Sequence, residues 1–330
     1  MDLNERMDAL HTAIERLRLE FGKVIVGNKG VLDNLLEALF SGGHVLIEGV
    51  PGIGKTLMVK TLARLLNLTF NRVQFTPDLM PADILGVNIL MEGERGERRF
   101  RFQAGPVFTN VLLADEINRA TPKTQSALLQ AMEERQVTIF GETYDLDEIF
   151  LALATQNPIE LKGTYPLPEA QLDRFMFKLV IPPPNLEELD AIARINLDTP
   201  AEAPAPPPVL SREEIREIRA MIGRIPVTDE YHRFAAGFIA ATNPGAPEAA
   251  PAAKRYIRYG SSPRGLIALL AAARAAAFLD GRFNLAWEDL RENYLACLRH
   301  RVILNFEAQV QRVDVDGVLR EIFESQRRPA

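Results

Sequence analysis

The chain has 330 residues, a net charge of −6 and 47% hydrophobic residues, which suits one large or two ordinary domains with ample apolar material for a core. The acidic balance gives no general attraction to nucleic acid or to an acidic membrane surface. The lone Cys297 excludes an internal disulfide and a cysteine-built metal site, and His11, His44, His232 and His300 fall at no metal-ligand spacing. A polar, acidic N-terminus is unlike a signal peptide, and no apolar run is long enough to span a bilayer, so a cytoplasmic protein without membrane insertion is expected.

In chain order, Leu3, Met7, Leu10, Ile14, Leu17 and Phe21 share one face of an amphipathic helix, and a second helix carries Leu32, Leu35, Leu36, Leu39 and Phe40. A short apolar strand, Val45-Leu46-Ile47, leads into a glycine-rich stretch and then a helical run, 57–66. Residues 69–75 read as a second strand. Residues 78–108 break the strand–helix alternation. They read as a β-hairpin insert with a charged tip at 92–96 and a basic second strand at 98–102, more a solvated strand than a nucleic-acid contact.

Val111-Leu112-Leu113-Ala114 is a buried strand ending in Asp115-Glu116, Pro122 opens a helix, and 136–146 forms a second hairpin turning at Gly141-Glu142. Strands at 150–155 and 176–181 follow, closed by Pro182-Pro183-Pro184. Strands alternating with helices imply a mainly parallel sheet covered on both faces. Residues 199–208 are too rich in proline for a helix or inner strand and read as an extended connector. Beyond it every periodic segment is helical, at about 211–223, 228–241, 264–279, 286–303 and 313–325. Between the second and third of these, 243–251 reads as a low-complexity, mobile loop.

Gly49-Val50-Pro51-Gly52-Ile53-Gly54-Lys55-Thr56 fits G-x-x-x-x-G-K-T in the strand–turn–helix context that a phosphate-binding loop requires. Glycines let backbone amides close round phosphate oxygens, and the helix N-terminus adds partial positive charge. Gly49, Pro51, Gly52, Ile53, Gly54, Lys55, Thr56 and Leu57 are therefore expected at the nucleotide, with Lys55 reaching the β- and γ-phosphates and Thr56 on Mg²⁺. In parallel sheets ligands sit at the carboxyl ends of strands, so Asp115 should hold Mg²⁺ through water and Glu116 should polarise the attacking water.

With these motifs the chain resembles the MoxR-type branch of the AAA+ ATPases. The resemblance is carried by residues 49–56, Gly105-Pro106-Val107-Phe108, Asp115-Glu116-Ile117-Asn118-Arg119-Ala120, residues 123–129, Thr155-Gln156-Asn157-Pro158, residues 163–175 and Ser262-Pro263-Arg264. It implies an α/β fold: a P-loop AAA+ core with a five-stranded parallel sheet and β-hairpin inserts over 1–184. A helix and Pro-rich linker over 185–210 and an all-helical lid domain over 211–330 would complete it. It also implies ATP and Mg²⁺ as cofactors and assigns roles residue by residue. Asn157 matches sensor 1, Arg174 an arginine finger acting across a subunit interface, and Arg264 the sensor-2 arginine, in its own subunit or a neighbour's. Val26 and Gly27 match the segment lining the adenine pocket. An intrasubunit alternative pairs Arg174 with Asp173 or Glu169.

The inserts at 78–108 and 159–166 would face a channel or one face of a ring. The expected function is Mg-dependent ATP hydrolysis in a ring, most often a hexamer. It would drive chaperone-like remodelling or maturation of a protein client, including metal or cofactor insertion, with a VWA-domain protein as partner. Turnover per subunit should then rise with concentration. The alternatives are a nucleic-acid motor, a magnesium-chelatase-like ATPase subunit and a regulatory module that binds ATP without turnover. The acidic balance and the lack of an appended DNA-binding segment make nucleic acid the weaker partner.

Overall fold

The structure is a computed structural model that describes residues 3–27, 29–92, 98–157, 163–198 and 206–326. Helices α1 (Leu3–Gly22) and α2 (Lys29–Ser41) precede β1 (Val45–Glu48), α3 (Lys55–Leu65) and β2 (Phe70–Gln74). A short α4 (Pro81–Leu85) opens the insert, followed by the antiparallel pair β3 (Gly86–Glu92) and β4 (Arg98–Ala104). Then come β5 (Val111–Asp115), a 3-10 turn (Ile117–Arg119), α5 (Pro122–Glu134), and the hairpin β6 (Gln136–Ile139) with β7 (Glu142–Asp145). Strand β8 (Leu151–Gln156), α6 (Glu169–Leu172) and β9 (Phe177–Val180) complete this half.

The main sheet has five parallel strands in the order β2-β5-β8-β1-β9, as expected. Successive strand residues point to opposite faces. Val45 and Ile47 of β1, Val111 and Leu113 of β5, and Leu151 and Leu153 of β8 therefore face one apolar cluster. Leu46, Leu112, Ala114, Ala152 and Ala154 face a second, formed with α5 and Phe150. Because β1 sits next to β8, the loop after β1 lies beside the ends of β5 and β8, where the polar motif residues emerge.

The C-terminal half runs through α7 (Leu186–Asp198), α8 (Arg212–Arg224), α9 (Asp229–Ala241), α10 (Pro251–Tyr256) and β10 (Ile257–Tyr259). It continues through α11 (Pro263–Leu279), α12 (Trp287–Leu298), β11 (Ile303–Leu304), α13 (Phe306–Val310) and α14 (Val315–Ser325). It is helical apart from β10 and β11, a short antiparallel pair in a domain expected to be all-helical. The segment read as a mobile loop is anchored at its end. Ala249 and Ala250 are buried, and Ala250 N–H donates to Ala241 O at 3.1 Å. Small side chains allow that close approach. The proline-rich connector falls largely outside the described residues, as do the tip of the first hairpin and the first half of the insert, 159–162.

The two halves share one core. Leu35 and Leu39 of α2 belong to the same cluster as Leu269 and Ala272 of α11, and Phe177 of β9 joins it with Leu298 of α12. Arg301 staples the halves further, with Nε 2.7 Å from Asp173 Oδ1 and Nη2 2.7 Å from Phe175 O. Among the described residues no helix is long and apolar enough to cross a membrane.

Glu37 and His44 are among the titratable groups enclosed by this packing. Glu37 is buried between α2 and α12, accepting from Asn34 Nδ2 at 3.1 Å and Asn293 Nδ2 at 3.5 Å. Burial pushes its carboxyl up to about 8, and the two amide bonds only partly oppose this. Folding thus favours the neutral carboxyl. The resulting stability is complete below the unfolded value of 4.5 and is lost as pH rises through about 8. Glu37→Gln keeps the shape without the charge, so it should raise the thermal midpoint by several degrees above about pH 8 and change it little near pH 5. Equal midpoints at the higher pH would contradict this. His44 acts in the opposite sense. Burial holds its imidazole down to about 4, with Nε2 donating to Met132 O and Nδ1 accepting from Ala152 N–H, so its contribution is lost as pH falls from 6.5.

Candidate active site

The loop between β1 and α3 turns on Gly52 and Gly54, at φ 83° and 81°. A side chain would be strained at either angle. Gly54 is also the N-cap of α3, so the first free amides of that helix open into the loop. Lys55 Nζ lies 2.6 Å from Gly49 O and 3.4 Å from Val50 O, folded back on the loop. Burial pulls its ammonium below the usual range, and Asp115 and Glu116 offset part of that.

One cavity of about 470 Å³ gathers Lys55, Thr56, Asp115, Glu116 and Asn157, with Pro51, Gly52, Gly54 and Leu57 on its loop side. Asn157 follows β8 and is buried. A second cavity, about 350 Å³, lies across the same loop. Ile53 and Val26 form part of its largely apolar wall, and Gly52, Gly54 and Leu57 are common to both. The geometry suits phosphates on one side of the loop and a base on the other. Gly27 lines an adjoining cavity with Val26. A Cβ at Gly27 would come within 2.2 Å of Glu188 Oε1, and Glu188, unremarked in the sequence, helps wall the apolar cavity. Gly49 lies beneath the loop, where a Cβ would meet Ile53 Cδ1 at 2.7 Å.

Cross-strand register explains how the two carboxylates are held. Gln74 of β2 pairs with Asp115 of β5, and Arg72 lies two residues earlier on the same face. Arg72 Nη2 is 2.7 Å from Asp115 Oδ2, while the Thr155 hydroxyl donates to Asp115 Oδ1 at 2.5 Å. Glu116 Oε2 accepts from Gln74 Nε2 and Arg119 Nη1, each at 2.8 Å. Glu116 itself has φ 55° and ψ 49°, a left-handed conformation that costs about 1 kcal/mol or more for a residue with a side chain. Its backbone N–H is anchored to Thr155 Oγ1 at 2.9 Å. Arg72, Gln74 and Thr155 were not legible as site residues, since only strand pairing brings them to the carboxylates, whereas Arg119 reaches Glu116 locally through the 3-10 turn.

The donor set also fits a divalent cation. Thr56 and Asp115 supply oxygen only, as a hard cation prefers. Among the described residues no group of three or more His, Cys, Asp or Glu could hold a metal unaided. An ion that completes its shell with phosphate oxygens and water matches this pair.

Arg174 and Arg264 lie elsewhere. They line a separate cavity of about 270 Å³ that shares no residue with the phosphate cavity. Arg174 does not take Asp173 or Glu169 as its partner. Its Nη2 is 3.0 Å from Glu133 Oε2, and Arg264 Nη2 is 2.5 Å from Glu133 Oε1. Asp173 is occupied by Arg301 and by the hydroxyl of Ser262, which caps α11. Helix α5 separates the two regions. Glu116 stands before its first turn and Glu133 in its last, and 13 residues of helix span about 20 Å.

The chain matches the family model described as the ATPase family associated with various cellular activities (AAA) over residues 44–177, and an AAA lid domain over 249–322. It is 39% identical to the uncharacterized protein YeaC of Bacillus subtilis, over 97% of this chain and 96% of that one. It is also 39% identical to chaperone MoxR1 of Mycobacterium tuberculosis, over 96% and 82% of the two chains. Identity to protein MoxR of Methylorubrum extorquens is 34%, over 95% and 94%. A crystal structure from Cytophaga hutchinsonii, assigned as an ATPase, superposes with a TM-score of 0.90 at 39% identity, covering 99% of this chain and 98% of that one.

Proposed function

The chain belongs to the MoxR family of AAA+ ATPases and hydrolyses ATP, and on that premise we propose that it does so in a ring whose subunits complete one another's sites. The observation that carries this reading is the division of the machinery. Lys55, Thr56, Asp115, Glu116 and Asn157 share one cavity, while Arg174 and Arg264 share another at the far end of α5.

In the proposed mechanism the loop amides and Lys55 bind the β- and γ-phosphates. Thr56 and Asp115 would hold Mg²⁺, Asp115 through water, and the ion would neutralise charge on the phosphate oxygens. Glu116 accepts a proton from the attacking water, and buried Asn157 orients that water. Arg174, with Arg264 beside it, reaches the γ-phosphate of the neighbouring subunit's ATP. A guanidinium suits that task because it stays charged and pairs bidentately with oxygens. Val26, Gly27, Ile53 and Leu57 would enclose the base side. The proposed domain limits are 1–184 for the core, 185–210 for the linker and 211–330 for the lid.

The work output we propose is chaperone-like remodelling or maturation of a protein client, metal or cofactor insertion included, in a hexamer that acts with a VWA-domain protein in the cytoplasm. Support for a client-facing element comes from the first hairpin, where Leu90 and Phe100 pair across the strands and both are exposed. The test of the enzymatic part is phosphate release with ATP and Mg²⁺. Chelation of the metal should abolish release while nucleotide binding persists in weakened form. Hydrolysis undiminished by chelation would contradict the assignment of Thr56 and Asp115.

A further inference from the structure

We propose that Glu133 is the positioning residue that makes Arg174 and Arg264 a single, preorganised two-guanidinium donor. This inference rests on the reading above that both arginines serve a neighbour's ATP. One carboxylate bridges the two cations, with Oε2 3.0 Å from Arg174 Nη2 and Oε1 2.5 Å from Arg264 Nη2. Among the described residues lining the cavity no other carboxylate is free to take its place. Asp173, the other carboxylate there, already accepts from Arg301 and Ser262. Arg301, on the same wall, is paired with Asp173 and so holds that carboxylate away from the two arginines. Without Glu133, two neighbouring guanidiniums with part-exposed side chains would repel each other and turn outward into solvent.

The bridge leaves capacity for phosphate. Each guanidinium carries five N–H donors, and the bridge engages only Nη2 of each. The arginines also come from different parts of the chain, Arg174 from the turn after α6 and Arg264 from the first turn of α11. Glu133, in the last turn of α5, therefore registers the C-terminal helices against the sheet half at the donor surface. Ser262 reinforces this by hydrogen-bonding Asp173 at 3.1 Å, two residues before Arg264.

The test uses full-length Glu133→Gln and Glu133→Ala. Each should lower kcat roughly 10- to 100-fold, the scale expected when a catalytic group is misplaced by about 1 Å. The KM for ATP should stay near that of the parent, because the subunit's own phosphate cavity is untouched. Glu133→Ala is then mixed with Glu116→Gln, whose donor surface is intact, and Arg174→Ala is mixed with Glu116→Gln as the control. Activity above that of either variant alone in both mixtures supports the proposal and shows that Glu133→Ala folds and assembles. Parental or higher kcat in the Glu133 variants would overturn it. Recovery in the Arg174→Ala mixture alone would also overturn it, since the fault would then lie in the subunit's own site or fold. Recovery in neither mixture would remove the reading on which the proposal rests.

Discussion

Arg174→Ala should lower kcat for ATP hydrolysis by about a thousandfold and leave the variant binding ATP as tightly as the parent. The scale is that of an arginine finger, whose charge stabilises the transferring phosphoryl group in the transition state. The separation of loss from binding follows from geometry. Arg174 lines none of the surface that Lys55, Thr56 and Asp115 form, and its salt bridge is to Glu133. Its side chain is 29% exposed, so truncation removes a charge from a surface and leaves no cavity in the core. Arg174→Lys should recover little, because a single ammonium cannot pair two phosphate oxygens in the fork that a guanidinium offers. Phosphate release and nucleotide titration on the same preparation separate the two effects. Undiminished turnover, or turnover and binding lost together, would contradict the trans role.

Glu116→Gln should reduce hydrolysis by about 10²- to 10⁴-fold, the range expected when a general base is removed, and should trap ATP on the protein. The fold around it should survive. Glu116 Oε2 accepts from Gln74 and Arg119, and an amide oxygen can accept from the same donors. The backbone anchor to Thr155 does not depend on the side chain. What the amide cannot do is take a proton from water. The trapped state is also the means of finding the partner. ATP-bound Glu116→Gln should retain a VWA-domain protein in a pull-down that ADP-bound parent releases. Wild-type turnover in this variant would remove Glu116 from its role, and recovery of the chain alone would weaken the remodelling function.

The contiguous parts of this site were legible in the sequence, and the parts assembled by packing were not. Residues 49–56 form one local turn, and Asp115 and Glu116 end an apolar run, so neighbours along the chain suffice to read them. Arg72 and Gln74 reach those carboxylates only through the β2–β5 register. A shift of one residue in pairing would turn them to the opposite face. Glu133 was invisible for a similar reason, since a helix pattern shows which residues share a face but not what meets it. The nearby carboxylates Asp173 and Glu169 were the natural alternatives for Arg174, yet Asp173 faces Arg301 and Ser262.

The fold divides the same way. The inner strands read as short continuous apolar runs and the long helices carry period-3.6 patterns, while α4, α10 and α13 span 5, 6 and 5 residues, too short for a period to emerge. The strands β10 and β11 have 3 and 2 residues and exist only as each other's partners. The apolar faces of α2 and α11 were each visible, but not that they meet in one core.

In the proposed ring each hydrolytic site is completed by the subunit next to it. Phosphate release from a mixture of Arg174→Ala and Glu116→Gln tests this most directly, since each variant retains the half that the other lacks. Turnover in the mixture should exceed that of either variant alone at the same total concentration. A rate no greater than the average of the two would contradict the account.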